Sequence, residues 1–166
     1  MIFVECKPDY TLASKLVSTP RRKVEHSANK SGVLSKLIRR EGFPNYENSL
    51  GIIDEDPRSN QPSIIREFDE VQDFSRHKIR LLHYRWLNND VLVLCPKLED
   101  WIIEAAREAE TDMSDYDLPN EPEMLHQIIN LNIDKFGLLI DALKVRSPRI
   151  KELMQHIEGL PSHSTH

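Results

Sequence analysis

Two short apolar runs in this chain each end on carboxylates. Met1-Ile2-Phe3-Val4 runs into Glu5-Cys6-Lys7-Pro8-Asp9, and Leu50-Gly51-Ile52-Ile53 runs into Asp54-Glu55-Asp56-Pro57. Short apolar runs rich in β-formers read as buried strands. A buried strand that delivers an acid at its C-terminal tip suits an open α/β sheet, where ligands bind just beyond the carboxyl ends of the strands. Carboxylates gathered there repel one another unless a divalent cation neutralises them, and hard oxygen donors suit Mg2+ or Mn2+.

The segments around these strands predict an α/β order. After a strand over 1–5, Tyr10–Val17 reads as a short helix with Asp9 as its N-cap. Arg21–His26 reads as a charged, edge-like second strand. Asn29 or Ser31 caps a helix running to about Glu41, with Val33, Leu34, Leu37 and Ile38 as its apolar stripe. Leu50–Ile53 is the third strand, and Arg58–Ser63 is a polar loop between prolines. Ile64, Ile65, Phe68 and Val71 are spaced for one helix over Ser63–Phe74. Lys78–Trp86 and Val91–Leu94 read as a hairpin around the turn signal Asn88-Asn89-Asp90. A strong helix pattern follows over Leu98–Glu110, then a polar loop from Asp112 to Pro122. Three helices are expected near Pro122–Asn130, Asp134–Lys144 and Pro148–Glu158. Strands alternating with helices predict a mainly parallel sheet with helices on both faces. The expected organisation is a core over 1–110, a helical C-terminal extension over 111–160 packed on it, and a flexible tail over 161–166.

Composition narrows the function classes. At 166 residues the chain fits one domain with a proper core, and 39% hydrophobic with 30% charged residues is a soluble globular balance. A net charge of −5 argues against holding nucleic acid by bulk electrostatics alone. No apolar stretch approaches the roughly 20 residues of a membrane span. A chain opening on a strand leaves no room for a signal peptide, so a cytoplasmic protein is expected. The two cysteines, Cys6 and Cys95, are expected as reduced thiols rather than a zinc site.

The motif Val4-Glu5-Cys6-Lys7-Pro8-Asp9 resembles the opening of Toprim domains, where an apolar strand ends in a glutamate with an aspartate shortly after. Asp54-Glu55-Asp56 is similar to the Asp-x-Asp motif of that family, also at a strand end. The resemblance covers residues 1–57 best. Cys95-Pro96-Lys97-Leu98-Glu99-Asp100-Trp101 is similar to a stretch of small Toprim-like proteins. The core is shared by topoisomerases, primases, small nucleases and the nuclease halves of overcoming-lysogenization-defect (OLD) proteins. The resemblance implies a Toprim-like α/β fold and metal-dependent phosphodiester hydrolysis acting on nucleic acid, expected to be DNA. Cys6 stands where the family usually has glycine. No tyrosine is placed as a topoisomerase nucleophile, and no zinc-binding or helicase-docking segment marks a primase. OLD nucleases are joined to an ATPase, so a stand-alone domain implies a separate ATPase partner and, by analogy, a role in phage defence.

On this reading Glu5, Asp54 and Asp56 are the catalytic candidates. In extended geometry Asp54 and Asp56 point to one side and share a cation. Glu5 completes the metal shell or acts as general acid/base, its pKa raised by like charges. Asp9 joins them as a metal ligand. Glu99 and Asp100 admit two readings, a second metal site or acids drawn to the first turn of a helix. Lys7 and Lys97 are expected beside substrate phosphates. Arg21-Arg22-Lys23 and Arg39-Arg40 are basic runs that either steer nucleic acid or form solvated faces. His26, His77, His83, His126 and His156 are scattered and expected at the surface or core edge. Two other classes compete: a receiver-like module accepting phosphate on Asp54, and a non-catalytic interaction protein with a degenerate acidic pocket. Self-association is compatible with any of them.

Overall fold

The computed structural model describes residues 1–18 and 22–159, without the side chains of 72–75. The chain folds into a six-stranded mixed sheet of order β2-β1-β3-β6-β5-β4. The strands are β1 (Ile2–Val4), β2 (Val24–His26), β3 (Leu50–Asp54), β4 (Asp69–Phe74), β5 (Ile79–Tyr84) and β6 (Asn89–Leu94). The helices are α1 (Lys7–Leu16), α2 (Lys30–Leu37), α3 (Leu98–Glu108), α4 (Pro122–Ile128), α5 (Ile133–Arg146) and α6 (Pro148–Gly159).

Three of the five strand pairings match the expected parallel arrangement. β2, β1, β3 and β6 pair in parallel, with Ile2 opposite both Val24 and Leu50 and with Leu50 opposite Asp90. The other two pairings reverse direction: β4 and β5, and β5 and β6, are antiparallel. The sheet is therefore mixed. Its reversal follows from short connections, because a parallel pair needs a long crossover and a hairpin does not.

Ser63–Phe74 is not one helix. It is a 3-10 turn over Ser63–Glu67 followed by β4 on the outer edge. α1 begins at Lys7, earlier than expected, with Cys6 rather than Asp9 at its N-cap. Asp9 sits three residues on and reaches back: its Oδ2 accepts from the Cys6 amide at 3.2 Å and from the Cys6 thiol at 3.0 Å. Pro8 does not interrupt this start, since first-turn amides have no intrahelical partner. β2 starts at Val24; Arg21 and the tail at 161–166 lie outside the described residues.

α2 opens on Asn29, whose Oδ1 accepts from the Gly32 amide at 2.8 Å. It closes at Leu37, before Glu41, because Asn89 Nδ2 donates to the Leu37 carbonyl at 2.7 Å and Ile38 is already extended. The β5–β6 turn is Arg85–Asn88, with Asn88 left-handed at φ 53°. The expected turn residues Asn89 and Asp90 belong instead to β6.

The two faces of the sheet carry unequal cover. One holds α1 and α3 through α6 over Ile2, Val4, Leu50, Ile52, Leu92 and Leu94. The helices after residue 110 thus share a core with the first and third helices. The other face holds α2 and the 3-10 turn over Phe3, Ile53, Leu82, Val91 and Val93. Gly51 lets α2 lie close: a Cβ there would stand 2.6 Å from Leu37 Cδ1 and 2.8 Å from Val33 Cγ1. No helix among the described residues is long and apolar enough to cross a membrane.

Candidate functional site

After β1 the chain turns onto one face as α1; after β3 it leaves toward the other, where Ile64 and Ile65 pack. Adjacent strands whose connections depart to opposite faces leave a crevice at their carboxyl ends. Glu5 and Asp54 meet in it. Glu5 Oε1 accepts from the Asp54 backbone amide at 3.2 Å. Asp54 follows Ile52 in the strand alternation, on the α1 and α3 side. Asp9, from the first turn of α1, is 2% exposed. Glu99, from the first turn of α3, is 7% exposed.

Three of these carboxyls, Asp54, Glu5 and Asp9, are shifted from their ordinary values. Burial, then the charges of Asp9, Glu5 and Glu99, push Asp54 up to about 9 despite a bond from the Leu98 amide. Burial and Asp9 push Glu5 up to about 7. Burial raises Asp9 to about 6, against the Cys6 hydrogen bonds that favour its ionised form. Burial, then Asp9, raises the Cys6 thiol as well. Cys6 and Cys95 are not joined in a disulfide. Asp54 Oδ1 is buried with no hydrogen-bond partner.

Asp56 is placed differently. The strand ends at Asp54 and the chain turns left-handed at Asp56, φ 46°, so the two side chains do not continue one extended face. Asp56 accepts a hydrogen bond from Ser59 and stands 3.5 Å from Lys97 Nζ. The Ser59 bond leads in holding its pKa below the usual value. It stands at the mouth as an ionised carboxylate. A cavity of about 600 Å3 opens there, lined by Asp56, Arg58, Lys97, Glu99, Asp100 and His126 among others. Lys97 and Asp100 thus border the entrance, while Lys7 is exposed on the first residue of α1.

Two residues join the site that the sequence did not point to. Lys30, first residue of α2, donates to the Glu55 carbonyl at 3.0 Å, and its charge acts on both Glu5 and Asp56. His126 of α4 holds Glu99 Oε1 through Nδ1 at 2.7 Å. A helix returning after a parallel strand starts at the carboxyl edge of the sheet. First-turn residues of α1, α2 and α3 therefore all border the crevice, and that rule would have found Lys30. Nothing in the local sequence would have found His126.

Among the described residues, no group of three His, Cys, Asp or Glu side chains is already arranged to hold a metal ion. The donor chemistry nevertheless fits a hard cation: several carboxyl oxygens, one of them unpartnered, in a half-buried crevice. No family model, no curated protein and no solved structure matches the chain.

Proposed function

We propose that this protein is a divalent-metal-dependent nuclease that hydrolyses phosphodiester bonds, with its centre at the carboxyl ends of β1 and β3. The observation that carries the reading is the meeting of Glu5 and Asp54 in the crevice, with Asp54 Oδ1 buried and unpartnered. The motif resemblance to Toprim domains supplies the reaction type; the residues themselves support an acidic pocket competent for a cation.

Asp54, Glu5, Asp9 and Glu99 would hold Mg2+ or Mn2+, and Asp56 at the mouth would add a further carboxylate. Such an ion, when bound, supplies positive charge at a phosphoryl oxygen and lowers the pKa of water. Glu5 has the second role. Off the ion, its pKa near 7 in the metal-free crevice divides it between acid and base at neutral pH, which suits proton transfer to or from a reacting oxygen. Lys97 and Lys30 bring cationic charge to the Asp56 side of the crevice, offsetting the acids a substrate phosphate would meet there. A separate ATPase partner and a role in defence against foreign DNA follow from the OLD resemblance.

A phospho-acceptor role for Asp54 is the weaker reading, because the pair of acids such a module carries after its first strand is not there: Glu5 is followed by Cys6. The test is nicking of supercoiled plasmid with Mn2+, Mg2+ or EDTA. Metal-dependent nicking, lost in Glu5→Gln and Asp54→Asn variants that melt as folded proteins, is the expected result. Nicking that survives both substitutions, or a wild type inert with either metal and unshifted by it in thermal melting, refutes the proposal.

A further inference from the structure

At the opposite end of the sheet, two loops form one surface. The β5–β6 turn (Arg85–Asn88) is tied to the loop between α2 and β3 by several hydrogen bonds. The Asn48 amide donates to the Leu87 carbonyl at 3.0 Å, and Asn88 Nδ2 donates to Asn48 Oδ1 at 2.6 Å. The Arg39 amide donates to the Tyr84 hydroxyl at 3.2 Å, and Asn89 Nδ2 donates to the Tyr46 carbonyl at 2.6 Å.

Each loop presents a large aromatic ring to solvent with a guanidinium against it. Trp86 is 63% exposed and Phe43 57%. The Arg85 guanidinium lies 5.9 Å from the Trp86 ring centroid, and that of Arg40 lies 4.2 Å from Phe43. Arg39 is exposed beside Arg40. Exposed rings of this size raise the free energy of the free protein unless something covers them. A guanidinium stacked on a ring leaves donors free at its edge for an anion.

We infer that this loop pair is a platform for single-stranded nucleic acid, on which bases stack on Trp86 and Phe43 while Arg39, Arg40 and Arg85 meet the phosphates. Bases have apolar faces and their backbone carries the anions, so one ligand satisfies both parts of the surface. Each ring thus has a cation from its own loop beside it. Arg85 is engaged with Asp69 at 3.2 Å, both side chains largely exposed, and exposed pairs of that kind exchange readily. Glu41 and Glu47 share the longer loop, so attraction is local to the guanidinium edges rather than a field over the whole end. The inference depends on neither the acidic crevice nor its chemistry.

The fold supplies a selective reporter. Trp101 is fully buried, with Nε1 donating to the His77 carbonyl at 2.8 Å, so quenching by a ligand on the surface reads Trp86. The experiment is a fluorescence titration in EDTA with an oligodeoxythymidylate of about ten nucleotides, with anisotropy of a labelled oligonucleotide for the variants. Saturable quenching is expected, with affinity falling with salt at a log–log slope of about −2, as three arginines on a single strand predict. Trp86→Ala and Phe43→Ala, each melting like wild type, should weaken binding roughly tenfold or more by removing a stacked base. Arg40→Ala and Arg85→Ala should flatten the salt slope. Absent quenching, unchanged affinity in the Trp86→Ala/Phe43→Ala double variant, or duplex bound as tightly as single strand would overturn the inference. So would a wild-type dimer that Trp86→Ala dissociates, which would make the surface a contact between two copies.

Discussion

Replacing Asp54 by asparagine should stabilise the metal-free protein, and increasingly so as pH rises. Asp54 has a folded pKa of about 9 against an ordinary 3.8. An acid raised on folding binds protons more tightly in the folded state, so its contribution to stability is intact below pH 4 and is lost as pH climbs toward 9. At pH 7 the two states differ over about three pH units, each worth about 1.4 kcal/mol, giving about 4 kcal/mol. Asparagine resembles the protonated acid in shape and charge, so the folded state changes little. The gain arises in the unfolded chain, where aspartate ionises and asparagine cannot. Imperfect bonding of the amide reduces it to about 2–4 kcal/mol, or roughly 5–10 °C in Tm for a chain of this size. The assay is urea unfolding in EDTA from pH 5 to 8, read as the difference between Asp54→Asn and wild type. That difference cancels the half-buried histidines His77 and His156, whose lowered pKa values work in the opposite direction below pH 6.5. A variant less stable than wild type at pH 8, or a difference flat across the range, would refute the electrostatic account of the crevice.

Two further substitutions probe the scaffold. Gly51→Ala drives a methyl into Leu37 and Val33 and should destabilise by about 1–3 kcal/mol through overpacking of α2; an unchanged urea midpoint would show that α2 shifts freely. Asn89→Ala strips the Ser49 amide of its 2.8 Å acceptor and the Leu37 and Tyr46 carbonyls of their donor. It should cost about 2–4 kcal/mol, and amide exchange should be fastest at the end of α2 and the start of β3.

What the sequence disclosed depended on how many faces each element buries. β1 and β3 are buried along nearly their whole length, so continuous apolar runs marked them. α3 keeps Trp101, Ile102, Ala105 and Ala106 inward, a spacing only a helix explains. β4 was illegible for the opposite reason. It is an edge strand with one partner, a register shift between Glu70 and Gln72, and Val71 turned 58% to solvent. A bulged edge strand loses the period of two, and Ile64, Ile65, Phe68 and Val71 then imitate a helical stripe. At the site, Glu5 and Asp54 were legible because strand tips are fixed by the strands that carry them. The paired reading of Asp54 and Asp56 assumed extended backbone that the left-handed turn at Asp56 ends. Lys30 and His126 arrive by tertiary folding from α2 and α4, which no local spacing encodes.

Asn89 and Asp54, two polar residues of this sheet, differ in what their polarity does for the fold. Asn89 is fully buried, and its three side-chain hydrogen bonds tie the end of α2 and the α2–β3 loop to β6. Its polarity is consumed in holding the scaffold, and removing it should loosen the protein. Asp54 is its counterpart at the carboxyl edge, with one oxygen unpartnered and three acidic neighbours that raise its pKa. Its charge is a liability to the fold by itself, so a stabilising structural role does not account for aspartate where asparagine would fit. Strain or repulsion of this kind persists where some other demand outweighs it, which is most often binding or catalysis. A cation held by Asp54 and Glu5 would reverse the sign: ionisation that destabilises the free protein becomes the source of affinity. The same substitution should therefore raise Tm in EDTA and abolish any rise that Mn2+ produces in wild type. An Asp54→Asn protein stabilised by Mn2+ as strongly as wild type would remove the crevice from consideration as the metal centre.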